Sequence, residues 1–149
     1  MDGYGKRVLI AEDDEDARNL LIVVLEKAGY SVYVALDGLH ALKEIKKRRF
    51  DVVVTDHHMP KMNGYELVLL GRLVRPDIPM ILLSGEDTRL AEKAKQGGAY
   101  GYLRKPYDAS ELLGLMRHAI LAAQETSIAH TDVRIAAHMP MKVGTNDIR

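Results

Sequence analysis

The chain has 149 residues, 47% of them hydrophobic, enough to fill one compact core and too few for two full-sized domains. Lys plus Arg and Asp plus Glu both number 21, so no net field favours nucleic acid, and the absence of cysteine excludes disulfides, thiolate metal sites and cysteine nucleophiles. The N-terminal apolar run is too short for a signal peptide and no apolar segment reaches membrane-spanning length, so the expectation is a soluble, cytoplasmic protein without membrane contact.

In chain order, the first strand-like run is VLIA at 8–11, followed by the acids Glu12, Asp13 and Asp14. Residues 17–29 then repeat at helical period, placing Ala17, Leu20, Leu21, Val24, Leu25 and Ala28 on one stripe, with Gly29 as a C-terminal stop. A second run, SVYVAL at 31–36, leads into a helical segment at 39–49 with Leu39, Leu42 and Ile45 on its apolar side. DVVVT at 51–55 is the third run and ends against Asp56, before a helix read over 65–74. PMILLS at 79–84 and YGYL at 100–103 complete the strands, with helices over 89–98 and 109–124.

Nearly all-apolar strands alternating with helices indicate an α/β fold, a doubly wound five-stranded parallel sheet covered on both faces. In such sheets ligands bind outside the carboxyl ends of the strands, near the reversal of strand order. Three groups of residues sit at such ends: the acids after the first strand, Asp56 after the third, and Ser84 and Lys105 after the fourth and fifth. Clustered carboxylates repel one another unless a cation holds them ionised, and oxygen ligands at a partly solvated rim suit Mg²⁺. A divalent ion, an amine and a hydroxyl around one carboxylate are what phosphoryl transfer needs, with Asp56 as the nucleophile of an acyl phosphate.

RVLIAEDDEDARNLL, VVVTDHHMPKMNG, ILLSG and YLRKPYD, in this order, resemble the receiver domain of two-component response regulators over roughly Lys6 to Gln124. The resemblance implies the (βα)5 flavodoxin-like fold and a role for each matching position. Asp13 corresponds to the direct Mg²⁺ ligand, Glu12 to a ligand acting through water, and the backbone carbonyl of His58 to the third protein ligand beside Asp56. Ser84 corresponds to the hydroxyl that meets a phosphoryl oxygen, Lys105 to the amine that pairs with another, and Pro106 to the residue after a cis peptide bond. Tyr102 matches the aromatic whose position reports the switched state. His58 and Glu86 match positions at the pocket mouth that tune the lifetime of the phosphorylated form. The implied donor is a phosphohistidine on a sensor histidine kinase or histidine phosphotransfer protein, and the face built from residues 89–113 would be read by a downstream protein partner. Such a protein catalyses only its own phosphorylation and dephosphorylation and is not otherwise an enzyme.

Plainer readings compete. The acids after the first strand suit a helix N-terminus, which accounts for Asp14 or Glu15 and leaves Glu12 and Asp13 spare. Asp56 and Ser84 suit turns, Lys105 suits a solvated surface, and Tyr102 suits the core. Asp56-His57-His58 also resembles the signature of the DHH phosphoesterases, which are metal-dependent enzymes; that family needs further acidic motifs and longer chains. Adjacent side chains on a continuing strand point to opposite sides, so His57 and His58 are expected not to share an ion. A receiver that keeps the fold without the chemistry, as a binding module, is disfavoured because every required group is present.

The chain is therefore read as a receiver domain over 1–124 and a short tail over 125–149, too short and too poor in clustered basic residues for a DNA-binding domain. The tail is expected to extend the last helix briefly and then fray, with a dockable element around 133–138 as an alternative. Direct contact with nucleic acid is not expected. An output part outside the chain, and homodimerisation through the last helix on activation, stay open.

Overall fold

The computed structural model describes residues 3–86 and 88–138, and for 127–138 the backbone alone. Strands and helices alternate: β1 (Arg7–Ala11), α1 (Glu15–Lys27), β2 (Ser31–Ala35), α2 (Gly38–Lys47), β3 (Val52–Asp56), α3 (Gly64–Val74), β4 (Met80–Ser84), α4 (Thr88–Gln96), β5 (Gly101–Arg104) and α5 (Ala109–His138). The sheet order is β2-β1-β3-β4-β5, every neighbouring pair parallel. This is the flavodoxin-like order, in which the chain reverses direction across the sheet between β1 and β3 and opens a crevice at their carboxyl ends.

The strands read as unbroken apolar runs because each face is covered. Leu9, Ala11, Val53 and Leu82 pack with Ile45 of α2, Leu67 of α3 and Ala94 of α4. Val8, Ile10, Val54, Ile81 and Leu83 point the other way, onto Leu21 and Leu25 of α1 and Leu112 and Met116 of α5. Two of the residues assigned to buried stripes lie outside them. Leu20 is 66% exposed and Leu39 is 42% exposed. Each successive helical residue is rotated by about 100°, so a helix that meets the sheet through Leu21 and Leu25 turns Leu20 toward its flank.

Helix entries fix the loops at the carboxyl rim. Asp14 caps α1, its carboxylate accepting from the Ala17 amide at 2.8 Å. Asn63 and Glu66 form a reciprocal capping box at the start of α3. There Gly64 abuts the end of β3: a Cβ on it would lie 2.2 Å from the Asp56 carbonyl oxygen and 2.6 Å from Leu82 Cδ1. Ala is the better helix former by roughly 0.5–1 kcal/mol, but the obstructing atom belongs to backbone and cannot swing away. Gly64→Ala is therefore expected to destabilise the fold by about 1–3 kcal/mol, seen as a lower denaturant midpoint.

Helix α5 is 30 residues long and passes through Gln124 without a break. At 1.5 Å per residue it is about 45 Å in length. The 124/125 boundary expected from the sequence thus falls within a helix, and residues 133–138 continue it. Fraying beyond His138 concerns residues outside the described ones. Among the described residues no helix is long and apolar enough to cross a membrane.

Candidate functional site

The crevice between β1 and β3 gathers three carboxylates. Glu12 and Asp13 leave β1 and Asp56 ends β3; one oxygen from each lies within 4.8 Å of the others. Glu12 and Asp56 are buried and Asp13 is exposed. From the end of β5, Lys105 places Nζ 2.5 Å from Asp56 Oδ1 and 4.0 Å from Glu12 Oε1. The other Asp56 oxygen accepts from the His58 amide at 3.1 Å. Glu12 accepts from the Asp14 amide at 3.2 Å, and Arg18 donates to the Glu12 and Asp13 carbonyls.

These contacts set the electrostatics. Burial pushes the Glu12 carboxyl above its usual range, and the Asp56 charge adds to the rise; the Asp14 amide and Lys105 only partly offset both. Burial works against the Lys105 ammonium too, but its hydrogen bond to Asp56 and the charges of Asp56 and Glu12 outweigh that and hold its pKa above the ordinary lysine value. Three carboxylates against one ammonium leave excess negative charge at a partly solvated rim. Oxygen-only donors so arranged fit a hard divalent cation that takes few protein ligands and keeps its waters.

Above the acids lies an open cavity of about 660 Å³, lined by Asp13, His57, His58, Met59, Pro60 and Asn63. Ser84, at the end of β4, is 1% exposed and its Oγ accepts from the Glu86 amide at 3.0 Å. The Glu86 carbonyl in turn accepts from the Tyr102 hydroxyl at 2.7 Å. Ser84, Glu86 and Tyr102 are thus joined through the main chain of one loop residue. The Lys105–Pro106 peptide is cis.

Residues 8–117 match the family of the response regulator receiver domain. The chain belongs to this family. Receiver domains are signalling switches rather than classical enzymes. The chain is 37% identical over 117 residues to the DNA-binding transcriptional regulator NtrC of Rhizobium meliloti (strain 1021), a match covering 78% of this chain and 24% of that protein. It is 38% identical over 113 residues to the response regulator MprA of Mycobacterium sp. (strain KMS), covering 74% of this chain and 49% of the relative. The chain thus spans about a quarter to a half of these curated relatives. Among solved structures, a CheY-like receiver domain protein from Methanospirillum hungatei JF-1 aligns with TM-score 0.78 at 26% identity, covering 82% of this chain and 98% of that one. The receiver domain of a sensor histidine kinase from Pseudomonas aeruginosa PAO1, which carries magnesium coordinated in its active-site cleft, aligns with TM-score 0.71 at 26% identity, covering 78% and 98%.

Receiver membership replaces the DHH-phosphoesterase alternative, but the argument that kept the two histidines apart also fails. Strand β3 ends at Asp56; the His57 amide still donates to the Leu83 carbonyl at 3.0 Å, but the His58 amide folds back onto the Asp56 carboxylate, so the alternation does not carry through residue 58. Their ring centroids are 5.0 Å apart, and both reach Glu86 Oε2, His58 Nε2 at 2.7 Å and His57 Nε2 at 3.8 Å. Burial holds the His57 pKa below the ordinary imidazole value, against the pull of Glu86. Sequence reasoning also passed over Asn63 and Gly64. The Asn-x-x-Glu spacing of Asn63 and Glu66 signals the cap, whereas the close approach of Gly64 to Asp56 depends on tertiary packing.

Proposed function

We propose that this receiver is a phosphoacceptor switch, taking a phosphoryl group from a phosphohistidine donor onto Asp56. The observation that carries the reading is the convergence on the Asp56 carboxylate of the Lys105 ammonium on one oxygen and the Glu12 and Asp13 carboxylates alongside. Asp56 attacks the phosphorus in line; the P–N bond to the donor imidazole breaks as the P–O bond forms, and the donor nitrogen takes back its electron pair. Lys105 and the Ser84 hydroxyl are assigned to the phosphoryl oxygens, where charge develops. Glu12, Asp13, Asp56 and the His58 carbonyl are assigned to a magnesium ion, Glu12 through water; when bound, the ion neutralises phosphoryl charge at the rim. The magnesium-bearing solved relative supports this assignment.

The switch follows from the loop after β4. In this reading Ser84 turns toward a phosphoryl oxygen and away from the Glu86 amide, and Glu86 is also the acceptor for Tyr102. Breaking the first bond loosens the second and lets the aromatic ring change place. The α4-β5-α5 face then presents a different shape to a downstream protein, a population shift between two states. The kinase or phosphotransfer protein is the expected upstream partner, residues 1–124 form the switch unit and 125–149 a tail.

The test is phosphorylation of the purified chain by a small-molecule phosphodonor with Mg²⁺. One hydroxylamine-sensitive phosphoryl adduct is expected by intact mass, and none in chelator; no adduct under either condition would return the chain to a binding-only receiver. A second prediction concerns lifetime. His58 and Glu86 touch at the mouth, so His58→Ala and Glu86→Ala should each admit water and speed dephosphorylation by about two- to tenfold. Being in contact, they should combine less than additively in the double variant; unchanged rates in both singles would remove the idea.

A further inference from the structure

We infer that His57, His58 and Glu86 form a second cation site at the pocket mouth, for a zinc-class ion rather than magnesium. Ligand-capable atoms of the three side chains lie within 4.8 Å of one another. Glu86 Oε2 is 2.7 Å from His58 Nε2 and 3.8 Å from His57 Nε2. Two donors on one tetrahedral zinc, each at roughly 2.0–2.2 Å, are about 3.4 Å apart. The two Glu86 separations bracket that figure and the imidazole pair lies within 4.8 Å, so side-chain shifts of about an ångström close the site. The side chains best able to shift are the exposed ones, His58 at 69% and Glu86 at 46%, while His57 at 12% is held by its surroundings.

The donor set selects the ion. Two imidazoles and one carboxylate favour zinc, cobalt, nickel or copper, whereas the all-oxygen cluster beneath favours magnesium. Neighbouring sites would therefore sort two ions by donor chemistry. Ligation through His57 Nε2 puts that ring's proton on Nδ1 and gives up a long contact from the Tyr65 amide at 3.4 Å. Tyr65 lies in the first turn of α3, where amides have no intrahelical acceptor, so losing this contact costs no helix bond, but the protonated Nδ1 and the amide then face each other as two donors, an opposing influence that ion binding must outweigh. Lys93 adds positive charge near His57 from α4, a modest opposing influence that the charges of Glu86 and Asp56 counter.

An ion held here ties the loop after β3 to the loop after β4. It would fix Glu86 in the arrangement that bonds Ser84 and Tyr102, the one the proposed switch breaks. This restraint rests on the phosphoacceptor reading; the binding itself does not.

Zinc titration of the full chelator-stripped chain in saturating Mg²⁺, without phosphodonor, tests the site. The parent should bind one tight equivalent, His58→Ala and Glu86→Gln at least tenfold more weakly, and Asp56→Asn within about threefold of the parent. Cobalt(II) should give a visible absorption band in the parent that both weakened variants lose. Parental affinity in His58→Ala and Glu86→Gln, or loss of binding in Asp56→Asn, overturns the site. With small-molecule phosphodonor, zinc should slow adduct formation several-fold in the parent and leave Glu86→Gln unaffected; equal slowing in both overturns the restraint. A chelator-stripped, zinc-free chain in saturating Mg²⁺ that forms no adduct refutes the phosphoacceptor reading, and zinc affinity still decides this one.

Discussion

Asp56→Asn should form no phosphoryl adduct with phosphodonor and Mg²⁺, while folding as the parent does. The amide matches the carboxylate in shape but offers no anionic oxygen to attack phosphorus. Its carbonyl can still accept from the His58 amide, so the start of the loop keeps its anchor. The bond to Lys105 is what goes, and Glu12, 4.0 Å from the ammonium, is placed to take it over. Removing one of three carboxylates also lessens the repulsion that raises the Glu12 pKa. In chelator the variant should therefore unfold at no lower denaturant concentration than the parent. With Mg²⁺ the order changes: an ion that binds the folded state alone stabilises it by RT ln(1 + c/Kd), where c is the free ion concentration, and the parent, binding more tightly, should gain more than the variant. An adduct of parental yield in Asp56→Asn would move the nucleophile elsewhere, Asp13 being the exposed carboxylate at hand.

Much of this site could be read before the fold was known, because its residues end apolar runs and the β-α alternation places strand ends on one rim. Glu12, Asp56, Ser84 and Lys105 belong to this legible set. Capping by Asp14 or Glu15 could be separated from the acid pair because one polar cap suffices for a helix N-terminus and further acids were present; the cap is Asp14. What stayed hidden depends on atoms without a sequence signature. The bonds from Tyr102 and to Ser84 run through the Glu86 main chain, and any residue has a main chain. The meeting of His57 and His58 follows from the chain folding back at His58, just past the last ladder bond of β3, and element ends are the least legible feature of a sequence. Leu20 and Leu39 were misplaced because apolar identity does not say which flank of a helix the sheet covers. The length of α5 was missed because a chain end was expected to fray, whereas the helix runs without a break to His138.

Lys105→Met should slow phosphorylation by about 10²–10³-fold, the usual loss when one preorganised donor to developing charge is removed. Met keeps much of the aliphatic stem, so the change falls on the ammonium. The same ammonium stands against cation binding, since it repels a divalent ion and already neutralises part of the carboxylate cluster. Without it three carboxylates face one another uncompensated, and magnesium affinity, followed by calorimetry, should rise or hold. Opposite movement of the two quantities separates loss of a charge-stabilising group from collapse of the pocket. A general loosening of the end of β5 would lower both together. Were Lys105→Met to phosphorylate at the parental rate, the 2.5 Å contact with Asp56 would be a structural ion pair and no part of the chemistry.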